Sequence, residues 1–132
     1  SLNNYNMRTL EEWISKLQQS DKCILVEGKK DKAALEELGM KNILMVSKMP
    51  TYKILEKINE KEVIILTDLD PEGKKVYATL RHHLQRKGIK IDKVFREFLF
   101  KHTTLTHIEG LLHYLRKTSY IESKIGAPVL KL

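Results

Sequence analysis

Two acidic groupings in the 132-residue chain have the spacing to do chemistry: Glu27, closing the run Cys23-Ile24-Leu25-Val26, and the pair Asp68 and Asp70, following Val63-Ile64-Ile65-Leu66. In an extended backbone residues i and i+2 project to the same side, so Asp68 and Asp70 present two carboxylates together while Leu69 points inward. Three clustered carboxylates repel one another unless a cation sits among them. No Cys or His stands at ligand spacing beside them, and an all-oxygen set suits a hard ion that keeps some waters: Mg²⁺, with Mn²⁺ as a substitute and zinc disfavoured. Each segment alone also reads as local capping, with Glu27 on its following turn, Asp70 on the helix that begins at Pro71, and Asp68 in a loop. Their joint placement after two separate apolar runs, each continued by Gly-Lys-Lys, favours the metal site.

The elements that must position these residues alternate between strand and helix. Thr9 and Glu12 form a capping box ahead of the apolar stripe Leu10, Trp13, Ile14 and Leu17. A strand over 23–26 leads through Gly28 to a helix from Asp31 that is closed by Gly39. A second strand over 43–46 precedes a short amphipathic helix behind Pro50 and Thr51, carrying Ile54, Leu55 and Ile58. The branched run 63–66 reads as a central parallel strand buried on both faces, followed by a long helix marked by Val76, Tyr77, Leu80 and Leu84 and ended by Gly88. Residues 89–95 supply a fourth strand, and a Thr106–Glu109 capping box opens a last helix through Ile108, Leu111, Leu112 and Leu115.

Such alternation predicts an α/β fold with a mainly parallel four-stranded sheet and helices on both faces. In open sheets of this kind, residues just past the strand ends gather on one edge and form the ligand site, so Glu27 and Asp68 face a common crevice if their strands are neighbours. Gly28 and Gly73 permit close backbone approach, and the helix N-termini after both turns offer amides to an anion. Lys29, Lys30, Lys74, Lys75 and, farther along the long helix, Arg81 surround these turns, as does Lys32. Phosphate groups belong there, although at least half of such lysines are ordinary solvated surface.

Composition agrees with a polyanionic partner. Lys and Arg number 24 against 17 Asp and Glu, for a formal charge of +7, and 42% hydrophobic residues are enough for one core without disulfides. Cys23, the only cysteine, lies in an apolar run and reads as a buried inert thiol in a reducing compartment. No apolar segment reaches the length of a membrane span, and Ser1-Leu2-Asn3-Asn4 lacks a charged-then-apolar signal pattern, so the expected location is cytoplasmic, away from membranes.

Leu25-Val26-Glu27-Gly28-Lys29-Lys30-Asp31 together with Ile65-Leu66-Thr67-Asp68-Leu69-Asp70-Pro71-Glu72-Gly73 resembles the Toprim domain of primases, topoisomerases, recombination proteins and small maturation nucleases. The similarity is greatest to small stand-alone archaeal Toprim proteins and to the endoribonuclease that matures 5S ribosomal RNA. It implies a compact Toprim, Rossmann-like fold over residues 21–100, with an N-terminal helix (1–20) packed on it and a C-terminal helix and tail (101–132) of the same domain. It also implies that Asp68 and Asp70 bind Mg²⁺, that Glu27 at the same metal is the general acid or base, and that Glu72 supports them from behind. The activity implied is Mg²⁺-dependent phosphodiester chemistry on RNA or DNA, as a small nuclease. Strand passage is excluded, because it needs a tyrosine from another domain; Tyr5, Tyr52, Tyr77, Tyr114 and Tyr120 read as packing or surface residues.

Other readings remain open. The fold could hold Mg²⁺ and nucleic acid without chemistry, as a module of a larger assembly. A haloacid-dehalogenase-like phosphatase also uses an Asp-x-Asp pair, but after its first strand rather than the third. An EF-type calcium loop starting at Asp68 fails because its twelfth position is Thr79. The stretch 101–107 could bring a histidine or hydroxyl near a phosphate, whereas His82 and His83 read as helix surface.

Overall fold

Val63, Ile64 and Ile65 are branched, apolar and consecutive, and such a run is satisfied only where both faces of a strand are covered. In the computed structural model, which describes residues 6–125 with side chains to residue 118, they form most of β3 (Glu62–Ile65). β3 pairs in parallel with β1 (Cys23–Val26) and with β4 (Lys90–Asp92), and β1 pairs in parallel with β2 (Ile43–Met45). The order β2-β1-β3-β4 puts the two strands that carry Glu27 and Asp68 side by side in the centre. Cys23 stands opposite Val63 and Leu25 opposite Ile65, so the two strands end within a residue or so of each other.

Alternation along these strands divides the core between two faces. Ile24, Val26, Ile64 and Leu66 pack with Trp13 and Leu17 of α1 (Leu10–Gln18), Leu35 of α2 (Lys29–Glu37), and Phe95 and Leu99 of α5 (Val94–His102). Leu25, Val63 and Ile65 face the other way, onto Ile54 of α3 (Thr51–Lys57) and Leu80 and Leu84 of α4 (Pro71–Arg86). The covered parallel sheet expected from the sequence is therefore present. Trp13 spans the first face: its indole Nε1 donates to Phe95 O at 2.8 Å, and its ring meets the Phe95 ring edge-on.

Local signals explain most of the element ends. The Thr9 hydroxyl accepts from the Glu12 amide at 3.1 Å, while the Glu12 carboxylate reaches back to the Arg8 amide. Gly39 and Gly88 close α2 and α4 with φ of +92° and +80°, a region that other residues enter at a cost. α2 begins two residues before Asp31, because Asp31 sits at the third helical position and its carboxylate accepts from the Gly28 amide.

Two expectations are corrected. The fourth strand is only three residues long and does not run to Phe95: Asp92 Oδ1 accepts from the Val94 amide and turns the chain into α5. Phe95, Phe98 and Leu99 then recur at i, i+3 and i+4, which buries one helical face. The Thr106–Glu109 capping box does not form. A 3₁₀ turn, Ile108–Gly110, precedes α6 (Leu111–Ile125), His107 stands at its N-cap without a side-chain cap, and the Thr106 hydroxyl contacts His107 instead. The tail expected to follow α6 lies outside the described residues.

Candidate metal centre

Glu27 directly follows β1 and Asp68 stands three residues beyond the end of β3, and the two loops meet. The Asp68 amide donates to Glu27 Oε2 at 2.8 Å. The turn that follows is tightened from behind by Thr67, fully buried, whose hydroxyl donates to Gly73 O at 2.9 Å. A Cβ on Gly73 would stand 2.1 Å from Asp68 O, so only glycine lets α4 start against this turn. The close approach that Gly73 permits is thus to the chain itself. Gly28 faces open space, with no atom within 4 Å of a Cβ built there.

Asp70 divides its two oxygens. Oδ1 accepts from the Gly73 amide at 2.8 Å and caps α4, with Pro71 at its first position, while Oδ2 lies 3.1 Å from His107 Nε2. Local capping of Asp70 and a ligand role are therefore compatible. Asp68 Oδ1 accepts from the Ile108 amide at 2.8 Å, and the Leu69 amide donates to Thr106 O at 2.8 Å. These two bonds fasten the 106–108 loop to the Asp68–Asp70 turn. As a result one donor atom from each of Asp68, Asp70 and His107 falls within 4.8 Å of the others. The imidazole is a nitrogen donor in what the sequence presented as an all-oxygen set. The chain distance of 37 residues hides it, and the only prior signal was a polar, histidine-bearing stretch outside the main motifs.

Glu27 does not belong to that group of three. It lines a cleft of about 410 Å³ on the α3–α4 side of the sheet, with Lys48, Glu72 and Lys75 and with the apolar side chains of Ile54 and Leu80. The common crevice expected for Glu27 and Asp68 is a shared edge instead: the glutamate's carboxylate meets the Asp68 backbone from the cleft side, and the Asp68 carboxylate turns toward His107. Glu72, Lys29, Lys30, Lys74, Lys75 and Arg81 are all exposed around this edge.

Burial raises the pKa of Asp68, Glu27 and Asp31 above their ordinary values. In each case a backbone amide offsets part of the shift, and neighbouring carboxylates add to it. Asp31 is a buried acid beside this cluster that spacing alone did not single out. Arg96, from α5, is another residue not foreseen: its Nε and Nη2 donate to Thr67 O and Asp68 O at 3.0 and 2.8 Å. Its guanidinium stacks 4.7 Å above the Tyr77 ring and 5.4 Å from that of Phe100, so Tyr77 is a platform as well as packing. Cys23 is buried and its thiol is pushed up to about 12, which agrees with an inert role.

The donor chemistry fits a divalent ion. In a six-coordinate ion with bonds of about 2.1 Å, adjacent donors lie about 3.0 Å apart and opposite donors about 4.2 Å. The 3.1 Å between Asp70 Oδ2 and His107 Nε2 is an adjacent-donor distance, and the three donor atoms all lie within 4.8 Å of one another.

Residues 21–95 match the Toprim domain model. A UPF0292 protein of Methanocaldococcus jannaschii is 32% identical over 108 residues, covering 77% of this chain and 84% of that relative. Another, from Pyrococcus abyssi, is 36% identical over 96 residues, covering 71% of this chain and 73% of its own length. Among solved structures, one described as a putative protein from Aquifex aeolicus superposes with a TM-score of 0.74 at 34% identity, covering 78% of this chain and 98% of the other.

Proposed function

The chain belongs to the Toprim domain family, and on that premise we propose that it is a small Mg²⁺-dependent nuclease that cuts the phosphodiester backbone of RNA or DNA during processing. The observation that carries this reading is the meeting of two strand ends, with Asp68 and Asp70 beside each other and Glu27 hydrogen-bonded to the same turn. Asp68 and Asp70 would hold the ion, with Mn²⁺ able to replace Mg²⁺. A divalent ion there supplies Lewis-acid polarisation of a phosphoryl oxygen. Glu27, with a raised pKa and one oxygen on the Asp68 amide, is suited to take a proton from an attacking water or return one to the leaving oxygen. Lys75 shares its cleft and would orient the strand, Glu72 beside it would support the acids from behind, and Lys29, Lys30, Lys74 and Arg81 surround the edge with positive charge for neighbouring phosphates; the Gly28 and Gly73 amides, expected to meet phosphate, are taken by Asp31 and Asp70.

A second reading, a metal- and nucleic-acid-binding module without chemistry, is favoured by one observation: Glu27 already has an architectural task in holding the Asp68 amide. Incubation with structured RNA and with nicked and duplex DNA separates the two. Cleavage in Mg²⁺ or Mn²⁺ that stops with chelator and in Glu27→Gln and Asp68→Asn supports the nuclease. Substrates bound but left intact by the wild-type protein would reject it in favour of the module.

A further inference from the structure

The imidazole of His107 changes the donor set from oxygens alone to two carboxylates and one nitrogen. Its geometry is built rather than incidental. Leu69 and Asp68 bind the 106–108 backbone from the other loop, and Asp70 Oδ2 lies 3.1 Å from Nε2. On the far side of the ring, Nδ1 lies 2.9 Å from the Thr106 hydroxyl. With the proton on Nδ1, donated to that hydroxyl, the ring is held in place and Nε2 keeps its lone pair for an ion; the other tautomer would donate from Nε2 to Asp70 instead. Half of the His107 side chain is accessible, so its position owes little to burial and much to these contacts.

Imidazole nitrogen is a poor partner for Mg²⁺, which favours oxygen and water, and a good one for first-row transition ions. We infer that His107 is a third protein ligand, and that it turns this edge into a site selecting a first-row transition ion over Mg²⁺. The inference rests on the metal-site reading of Asp68 and Asp70 above, adds a ligand to it and revises its ion: Mn²⁺ becomes the preferred ion and Mg²⁺ the substitute. In such a site the remaining positions stay open to water or to a phosphate oxygen, because three side chains are committed among the described residues.

Mn²⁺ is the probe. Binding to the full chain is followed by electron paramagnetic resonance, Mg²⁺ affinity is obtained by competition, and pulsed measurements read ¹⁴N modulation on the bound Mn²⁺. Wild type is expected to prefer Mn²⁺ and to show nitrogen modulation. In His107→Ala and His107→Gln the modulation disappears and the preference for Mn²⁺ over Mg²⁺ falls about tenfold or more. Circular dichroism checks that both variants fold, and added imidazole should restore part of the preference in His107→Ala. Bound Mn²⁺ without nitrogen modulation in the wild type, or an unchanged preference in both variants, overturns the assignment of His107. If that ion still depends on Asp70, shown by Asp70→Asn, the acidic metal site survives the loss of its histidine. If neither ion binds the wild type, both readings fall together.

Discussion

Where β1 and β3 begin, Lys22 Nζ sits 2.8 Å from Asp92 Oδ2 and 3.4 Å from Glu62 Oε1, so a lysine meets the negative charge. Where the same two strands end, Glu27, Asp31, Asp68 and Asp70 each accept a backbone amide, from Asp68, Gly28, Ile108 and Gly73 respectively. An amide fixes a carboxylate in space but carries no net charge to cancel it. The first arrangement spends acidity on stability within the chain. The second fixes the geometry of several acids, and burial raises the pKa of three of them, which suits an edge that receives positive charge from outside.

The strand-end turn depends most heavily on Gly73. Gly73→Ala places a Cβ against Asp68 O and should cost about 3 kcal/mol in denaturant unfolding, with loss of ion binding. A cost well under about 1 kcal/mol would mean that the turn yields easily and that its geometry is not enforced by packing. At the opposite end, Lys22→Met takes the lysine from the Asp92 side chain, only 4% exposed, which keeps the Val94 amide. The expected loss is about 2 kcal/mol, discounted because Lys22 itself is partly exposed, and divalent-ion affinity should not change. An altered affinity would show that the two ends are coupled.

Arg96→Met removes two donors from the carbonyls of Thr67 and Asp68 and should lower stability by about 1 kcal/mol while weakening ion binding through a looser turn. Titration calorimetry reads the second effect; unchanged affinity would confine Arg96 to packing. The smallest effect concerns Asp31. Its folded pKa is raised, so its contribution to stability is present below the ordinary aspartate value of about 3.9 and is lost as pH rises through the higher folded value. Asp31→Asn should therefore gain in Tm relative to wild type between about pH 4 and pH 7 in chelator. A difference that stays constant across that range would contradict the raised value.

The central strands were legible because a branched apolar run has few other ways to be buried, and Asp68 and Asp70 were legible because the i, i+2 relation is local. The boundary between β4 and α5 was not: Ile89 to Phe95 is apolar enough for a strand, and only the recurrence of Phe95, Phe98 and Leu99 at helical spacing betrays the helix. His107 and Arg96 left little trace for a different reason. His107 reaches the site through a loop fastened by backbone bonds, and the hydrogen-bond partners of Arg96 are carbonyls that every residue type possesses. Asp31 was readable as a helix-start residue, but its burial beside other acids depends on how α2 docks.

Thermal unfolding with and without divalent ions tests most directly whether the strand-end acids await a cation. In Mg²⁺ or Mn²⁺ at about one hundred times the dissociation constant, the folded state should gain about 2.7 kcal/mol over chelator. Lys22→Met should show the same gain from a lower starting Tm, while Asp68→Asn and Asp70→Asn should show almost none. A wild-type protein that melts at the same temperature with either ion as with chelator would contradict the account.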